Sequence, residues 1–251
     1  DAQSTIKSIF ISKTIQVVNM GALCDCPHLC SIVVDEENPY LDSRNDCNAI
    51  IASKDWGTQA NTLIAGCKTT TIPHSVTEIG SYAFAYCDSL KHIKIPNGVT
   101  KIGNSAFYDT ALTDVTIPDS VQTIGEYAFY KCTSLTDVTI GNGVTSIGDY
   151  AFYNCTSLTS ITIPDGVTSI NFAAFYGCTS LTKVNIPDSV TTIGNSAFYS
   201  CTKLENINIS ANVTIFLKNI IVSHLSGKSS SAGFCACPKS TTFQSDNFTF
   251  S

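Results

Sequence analysis

Twelve cysteines and four histidines are the side chains with the most chemistry to offer. Cys24-Asp25-Cys26-Pro27-His28-Leu29-Cys30 superficially resembles a metal knot, because thiolates and an imidazole this close can close on one zinc ion. Cys26, however, also falls in a slot that repeats along the chain, which breaks the ligand set. Cys235-x-Cys237 is too tight for the usual zinc spacing. His28, His74, His92 and His224 have no nucleophile beside them in the repeat described next, so a geometry-first test reads them as exposed variation. Asp114 and Asp137 recur one repeat apart and stack on adjacent strands. A paired-carboxylate glycosidase would hold them facing each other across a cleft. The glycines come about one per repeat, with no phosphate-cradling loop. These patterns predict no catalytic residue, no metal and no cofactor.

The element that positions these residues is a repeat. The dipeptide Ile-Pro or its equivalent begins at Ile72, Ile95, Ile117, Ile140, Ile163, Ile186 and Ile209, a near-constant step broken only by the slightly shorter one from Ile95 to Ile117. One full unit, Ile117 to Thr139, reads IPDSVQTIGEYAFYKCTSLTDVT. A diverged copy places Ile11, Ile15, Val18, Ala22, Leu23, Cys26, Leu29, Ile32 and Val34 in the same slots. Leu135, Val138 and Ile140 turn a short strand into the core, with Asp137 and Thr139 alternating outward. A turn follows, such as Asp119-Ser120, Asn142-Gly143 or Asp165-Gly166. Val121 and Ile124 make a second extended piece, also pointing inward. Glycine recurs at 80, 103, 125, 148 and 194, with Asn at 19 and 171, an exchange that predicts a left-handed backbone site. Ala128-Phe129 predicts a single helical or 3₁₀ turn. So short a unit cannot close a core around its own inward slots, so stacked coils must share one.

The pattern L-x-x-(I/V)-x-I-P-x-(S/G)-V-x-x-I-G-x-x-A-F-x-x-C, running from about Ile9 to Ile209, resembles the BspA-type leucine-rich repeat of bacterial and protist surface proteins. NPYLDSRNDCNAII and NTLIAGCKTTTIP, between Asn38 and Pro73, resemble a hairpin-forming variant common in bacterial members. The resemblance implies an α/β leucine-rich-repeat solenoid with 22–23-residue coils, a curved parallel sheet, short helical or 3₁₀ turns and one inserted hairpin. It implies a cell-surface or secreted binding protein, often an adhesin, rather than an enzyme. The expected layout is one solenoid domain over 1–251. It comprises an N-terminal coil (1–34), an inserted hairpin-like segment (35–71), six regular repeats (72–209), and a C-terminal cap and tail (210–251).

Composition narrows the partners. Apolar residues make up 43% of 251, which excludes a disordered chain, and charged residues only 14%, against roughly 25% in ordinary soluble domains. With 14 Lys+Arg against 20 Asp+Glu and no basic run, neither nucleic acid nor an anionic membrane surface is an expected partner. The chain starts at Asp1 without a charged-then-apolar leader, so either a leader was removed or the chain is trimmed. Val213 to Val222 is the most apolar tail segment, contains Lys218 and is about half of the roughly 20 residues a membrane span needs.

Departures and columns complete the reading. The step from Val34 to Ile72 is more than half as long again as a regular coil, and its apolar pairs Ile50-Ile51 and Leu63-Ile64 predict an extruded hairpin. That hairpin is structural elaboration, with a lateral contact through Trp56 or Asp35-Glu36-Glu37 as the functional rival. Thr110-Ala111-Leu112 replaces Cys-Thr-Ser-Leu in the 22-residue coil. Cys26, Cys87, Cys132, Cys155, Cys178 and Cys201 read as a column of buried thiols. Cys24, Cys30, Cys47, Cys67, Cys235 and Cys237 leave disulfides open. Past Ile209, residues Ile215, Phe216, Ile220 and Ile221 read as a cap, and Ser226 to Ser231 as a flexible link. Asn154, Asn208, Asn212 and Asn247 open sequons that matter only in a eukaryotic secretory host. Tyr108, Tyr130, Tyr153, Tyr176 and Tyr199 predict an aromatic ladder shielding the convex side, which could also bind carbohydrate or protein.

The outward strand positions are His92, Lys94, Asp114, Thr116, Asp137, Thr139, Ser160, Thr162, Lys183, Asn185, Asn206 and Asn208. They vary while the core does not, which suits a concave surface holding a host or extracellular protein or glycan. The alternative is a structural spacer or interaction module of a larger surface protein. An enzyme would need clustered, perturbed acid and base groups. Ice binding through Thr77, Thr100, Thr145, Thr168 and Thr191 is interrupted at Gln122, and strand propensity explains the column more simply.

Overall fold

The computed structural model describes residues 5–24, 26–53, 60–209, 212–213 and 215–216, with the backbone alone at Asn206, Asn208, Ile215 and Phe216. Trp56, His224, Cys235, Cys237, Asn247, the Ser226–Ser231 link and most of the expected cap lie outside the described residues. The N-terminal coil supplies β1 (Ser8–Ile11) and β2 (Ser31–Val34). The long segment that follows holds β3 (Leu41–Asp42), β4 (Ala49–Ala52) and β5 (Thr62–Gly66). Then come β6 (Glu78–Ile79), β7 (Lys101–Ile102), β8 (Asp114–Ile117), β9 (Thr123–Ile124), β10 (Asp137–Ile140) and β11 (Ser146–Ile147). The series ends with β12 (Ser160–Thr162), β13 (Ser169–Ile170), β14 (Lys183–Asn185), β15 (Thr192–Ile193), β16 (Asn206–Asn208) and β17 (Ile215–Phe216).

The chain is a β-solenoid whose coils have the length that the repeat predicts. Each coil buries the same slots: in one, Val121, Ile124, Ala128, Phe129, Cys132 and Leu135 are all fully inaccessible. Phe84, Phe107, Phe129, Phe152, Phe175 and Phe198 stack ring on ring, with centroids 5.1–5.4 Å apart and planes within 8°. That spacing is close to one coil rise, about 4.8 Å, so the ring column fixes the register of one coil on the next.

The sheet differs from the single curved one expected. The longer outward-facing strands pair in pieces: β1 with β2, β8 with β10, and β12 with β14 with β16, all parallel. The continuous sheet runs along the second extended piece instead. There ten strands follow the order β17-β15-β13-β11-β9-β7-β6-β5-β4-β3.

The inserted segment is the antiparallel part of that sheet, β3–β4–β5, and β5 joins β6 in parallel. It is not extruded. Every residue of β4 and β5 is buried. Ala49 and Ile51 enter the main core while Ile50 and Ala52 enter a second cluster with Leu29, Ile32 and Val34. Two-residue alternation thus gives the hairpin two apolar faces, so its strands read as unbroken apolar runs. Of the acidic run, Asp35 accepts the Glu37 N–H at 3.0 Å, which closes a turn, and Glu37 pairs with Lys13 at 2.6 Å.

The expected helical turns are tight turns without helix. Each of six coils has two left-handed residues, such as Tyr127 (φ 57°) and Lys131 (φ 58°), or Tyr150 (φ 57°) and Asn154 (φ 55°). A left-handed residue breaks a right-handed helix and frees its N–H for the next coil. Tyr127 N–H reaches Asp149 O at 2.9 Å, Phe129 N–H reaches Ala151 O at 2.7 Å, and Lys131 N–H reaches Tyr153 O at 2.7 Å. The repeated glycine is not the left-handed site. A Cβ on Gly148 would lie 2.6 Å from Glu126 N and from Gly125 C, so the slot is kept small by backbone stacked directly beneath it. At Asn171, which fills the slot in one coil, the side-chain Oδ1 accepts the Ser169 hydroxyl at 2.9 Å. Among the described residues, no helix is long and apolar enough to cross a membrane.

Candidate functional site

Strand alternation makes the candidate face. In β8 and β10 the burial pattern is exposed-buried-exposed-buried, so Val115, Ile117, Val138 and Ile140 anchor the strands while Asp114, Thr116, Asp137 and Thr139 project outward. Register pairs Asp137 with Asp114 and Thr139 with Thr116, then Ser160 with Lys183 and Thr162 with Asn185, and finally Lys183 with Asn206 and Asn185 with Asn208. His92 and Lys94 lie outside an assigned strand but continue the face, since His92 Nδ1 sits 2.8 Å from Asp114 Oδ1. All ten of these residues whose side chains are described are exposed.

A groove of about 990 Å³ runs along this face. Its floor includes Lys94, Asp114, Thr116, Asp137, Thr139, Ser160 and Thr162, while His92, Lys183, Asn185, Asn206 and Asn208 lie outside its lining. One wall is the turn after each strand, contributed by Asn97, Asp119 and Asn142. Sequence reasoning treats these turn residues as punctuation. Their pattern, a polar residue just past each Ile-Pro or Ile-Gly, is the available signal. Asp119 Oδ1 accepts the Asn142 N–H at 2.7 Å, which ties the wall from coil to coil. The Thr113 hydroxyl at 2.8 Å, with His92 beside it, holds the Asp114 carboxyl below the usual carboxylate range.

The other columns are structural. The Cys132, Cys155, Cys178 and Cys201 thiols donate to the carbonyls of Phe107, Phe129, Phe152 and Phe175 at 3.0–3.2 Å. They are free thiols, and burial raises each pKa, to about 11 at Cys132 and about 12 at Cys201. Cys30, Cys47, Cys67 and Cys87 are also free thiols. Among the described residues no three His, Cys, Asp or Glu side chains converge as a metal site would need.

Tyr108, Tyr130, Tyr153, Tyr176 and Tyr199 stack at 4.7–5.0 Å, with Tyr86 tilted against Tyr108, so neighbouring stacked rings cover one another's faces and leave edges outward. That ladder lacks the open faces on which a sugar would stack. Thr100, Thr145 and Thr191 donate their hydroxyls to the carbonyls of Thr77, Gln122 and Thr168, which explains the threonine column as coil-to-coil bonding. At the N-terminal end the strand face turns apolar, with register-paired Phe10 and Val33 63% and 46% exposed. The alternation IFI and IVV carries that signal.

A family model described as the BspA-type leucine-rich repeat region matches in six copies, over residues 63–156 and 126–248. Among solved structures, a leucine-rich repeat protein from Eubacterium ventriosum is 26% identical with a TM-score of 0.59, over 77% of this chain and 58% of its own. A leucine-rich repeat protein of T. pallidum is also 26% identical, with a TM-score of 0.54 over 78% of this chain and 77% of its own. No curated protein matches. A family match over more than half the residues agrees with coils, strand slots and Phe column in the structure, and the chain belongs to the BspA-type leucine-rich repeat family of repeat-based protein-interaction modules.

Proposed function

We propose that this is a non-catalytic binding protein, secreted or at the cell surface, that holds an extracellular protein or glycan against its strand face. The groove carries the reading: seven outward strand residues chosen from the repeat pattern line one open trough. Its floor rests on a core of fully buried side chains, and a preformed surface loses little conformational entropy on binding. The aromatic and threonine columns, by contrast, spend their ring faces and hydroxyls on neighbouring coils. The surface location draws on the family membership. Arrays of extracellular proteins and glycans, read with the native chain and with Thr139→Arg, test the proposal. Hits that vanish in the variant support it. Hits that persist place binding elsewhere, and a blank array favours a structural spacer within a larger surface protein.

A further inference from the structure

Resting on that groove as the binding surface, we infer that its partner is an extended peptide segment carrying two closely spaced lysine or arginine side chains. Three carboxylates, Asp114, Asp119 and Asp137, line the trough against one ammonium, Lys94. Asp114 and Asp137 are register partners on neighbouring parallel strands, both on the exposed side. Like charges set side by side across strands oppose one another, and a cation laid over both relieves that repulsion.

Asp114 is already held ionised by its Thr113 hydrogen bond and by His92, whose Nδ1 lies 2.8 Å from the same oxygen, so it presents a carboxylate rather than a neutral acid. The rest of the floor is short hydroxyls at Thr116, Thr139, Ser160 and Thr162, which can bond an extended backbone without blocking it. β8 and β10 pair in parallel with each other, while β12 packs beside β10 and the Thr113 N–H bonds Lys91 O of the coil before. Neighbouring coils thus flank both strands, so the partner is read by side chains and not by strand addition.

Lys94 before the carboxylates and Lys183 beyond them bracket the acidic centre. A uniformly basic partner therefore meets repulsion at both ends, and the best match is basic in the middle with neutral or acidic flanks. The formal charge of −6 disfavours a polyanionic glycan in the same place.

The probe is a fluorescent twelve-residue synthetic peptide with two central lysines one residue apart and flanks of serine and glutamate. A control exchanges its lysines and glutamates. The native chain should bind the probe at least about tenfold more tightly than the control, and lose about tenfold between roughly 20 and 300 mM salt, because exposed charges are screened. Asp114→Asn with Asp137→Asn should cost a further tenfold or so while leaving the groove open. No binding at low salt, equal affinity for the two peptides, or indifference to the double substitution overturns the basic-peptide inference. If an array hit is abolished by Thr139→Arg yet ignores the Asn pair, the inference fails and the groove stands; if it ignores both, the groove falls as well.

Discussion

Thr110 fills the cysteine slot of the 22-residue coil, and that exchange shows what the slot requires. Thr110 is buried, and its hydroxyl lies 3.2 Å from the Cys132 thiol. Both residue types are small donors, and Cys132, Cys155, Cys178 and Cys201 each donate to a phenylalanine carbonyl of the preceding coil. Cys155→Ala should therefore cost about 1–2 kcal/mol in urea unfolding, and Cys155→Thr less. The same thiols set an alkaline limit. Their folded pKa values are raised, to about 11 at Cys132 and about 12 at Cys201, so the native state holds protons that the unfolded chain releases near its ordinary value of roughly 8.5. Their contribution is complete below that ordinary value and is lost as pH rises towards about 11–12. Unfolding measured across pH 8–11 should show this fall, and it should be shallower in Cys155→Ala. The column itself was legible from six cysteines in one slot. Its acceptor was not, because a carbonyl in the preceding coil comes into reach only once coil register is known.

At the scale of the coil, two positions exchange the roles that composition suggests. Glycine recurs where stacked backbones touch, and ordinary residues occupy the left-handed sites. Gly148→Ala should destabilise by roughly 1–3 kcal/mol, since its new methyl meets Glu126 N and Gly125 C at 2.6 Å and the backbone there must shift to admit it. Asp109→Gly, at φ 53°, should lie between neutral and about 1 kcal/mol stabilising, as glycine relieves the left-handed strain but adds entropy to the unfolded chain. Thermal unfolding of the pair distinguishes this assignment from the reverse. Phe152, fully buried between Phe129 and Phe175 at 5.1 and 5.4 Å, anchors the coil. Phe152→Ala should cost about 3–5 kcal/mol in denaturant unfolding. The period was readable from the recurring Ile-Pro dipeptide and the inward slots from a single unit. The glycine's reason and the absence of helix from the repeat turns were not, because both arise from contact with the next coil, and a glycine–asparagine exchange looks the same for a left-handed turn and for a tight stack.

Across the whole molecule, the low charge follows from how the surface is built. Threonine hydroxyls such as those of Thr136, Thr156, Thr182 and Thr202 bond the carbonyl one coil back, so neutral side chains take surface positions that charged ones fill in ordinary domains. The outward strand residues were legible because period-two alternation fixes which side chains project. The groove's turn wall was not, since Asn97, Asp119 and Asn142 meet the floor only when the coils stack. The hairpin is legible as a hairpin but not as a buried one, because a run such as AIIA has the same sequence whether one face or both are covered. The central claim is that ligand is held on the strand face and nowhere else. It is tested by the dissociation constant of a captured ligand for the native chain, for Thr139→Arg on the groove floor, and for Gln122→Arg on the opposite extended piece, both exposed positions. The account predicts that Thr139→Arg weakens binding by about 30-fold or more, as loss of a central contact does, while Gln122→Arg leaves it unchanged. Equal affinities for the native chain and Thr139→Arg, or a loss confined to Gln122→Arg, would contradict it.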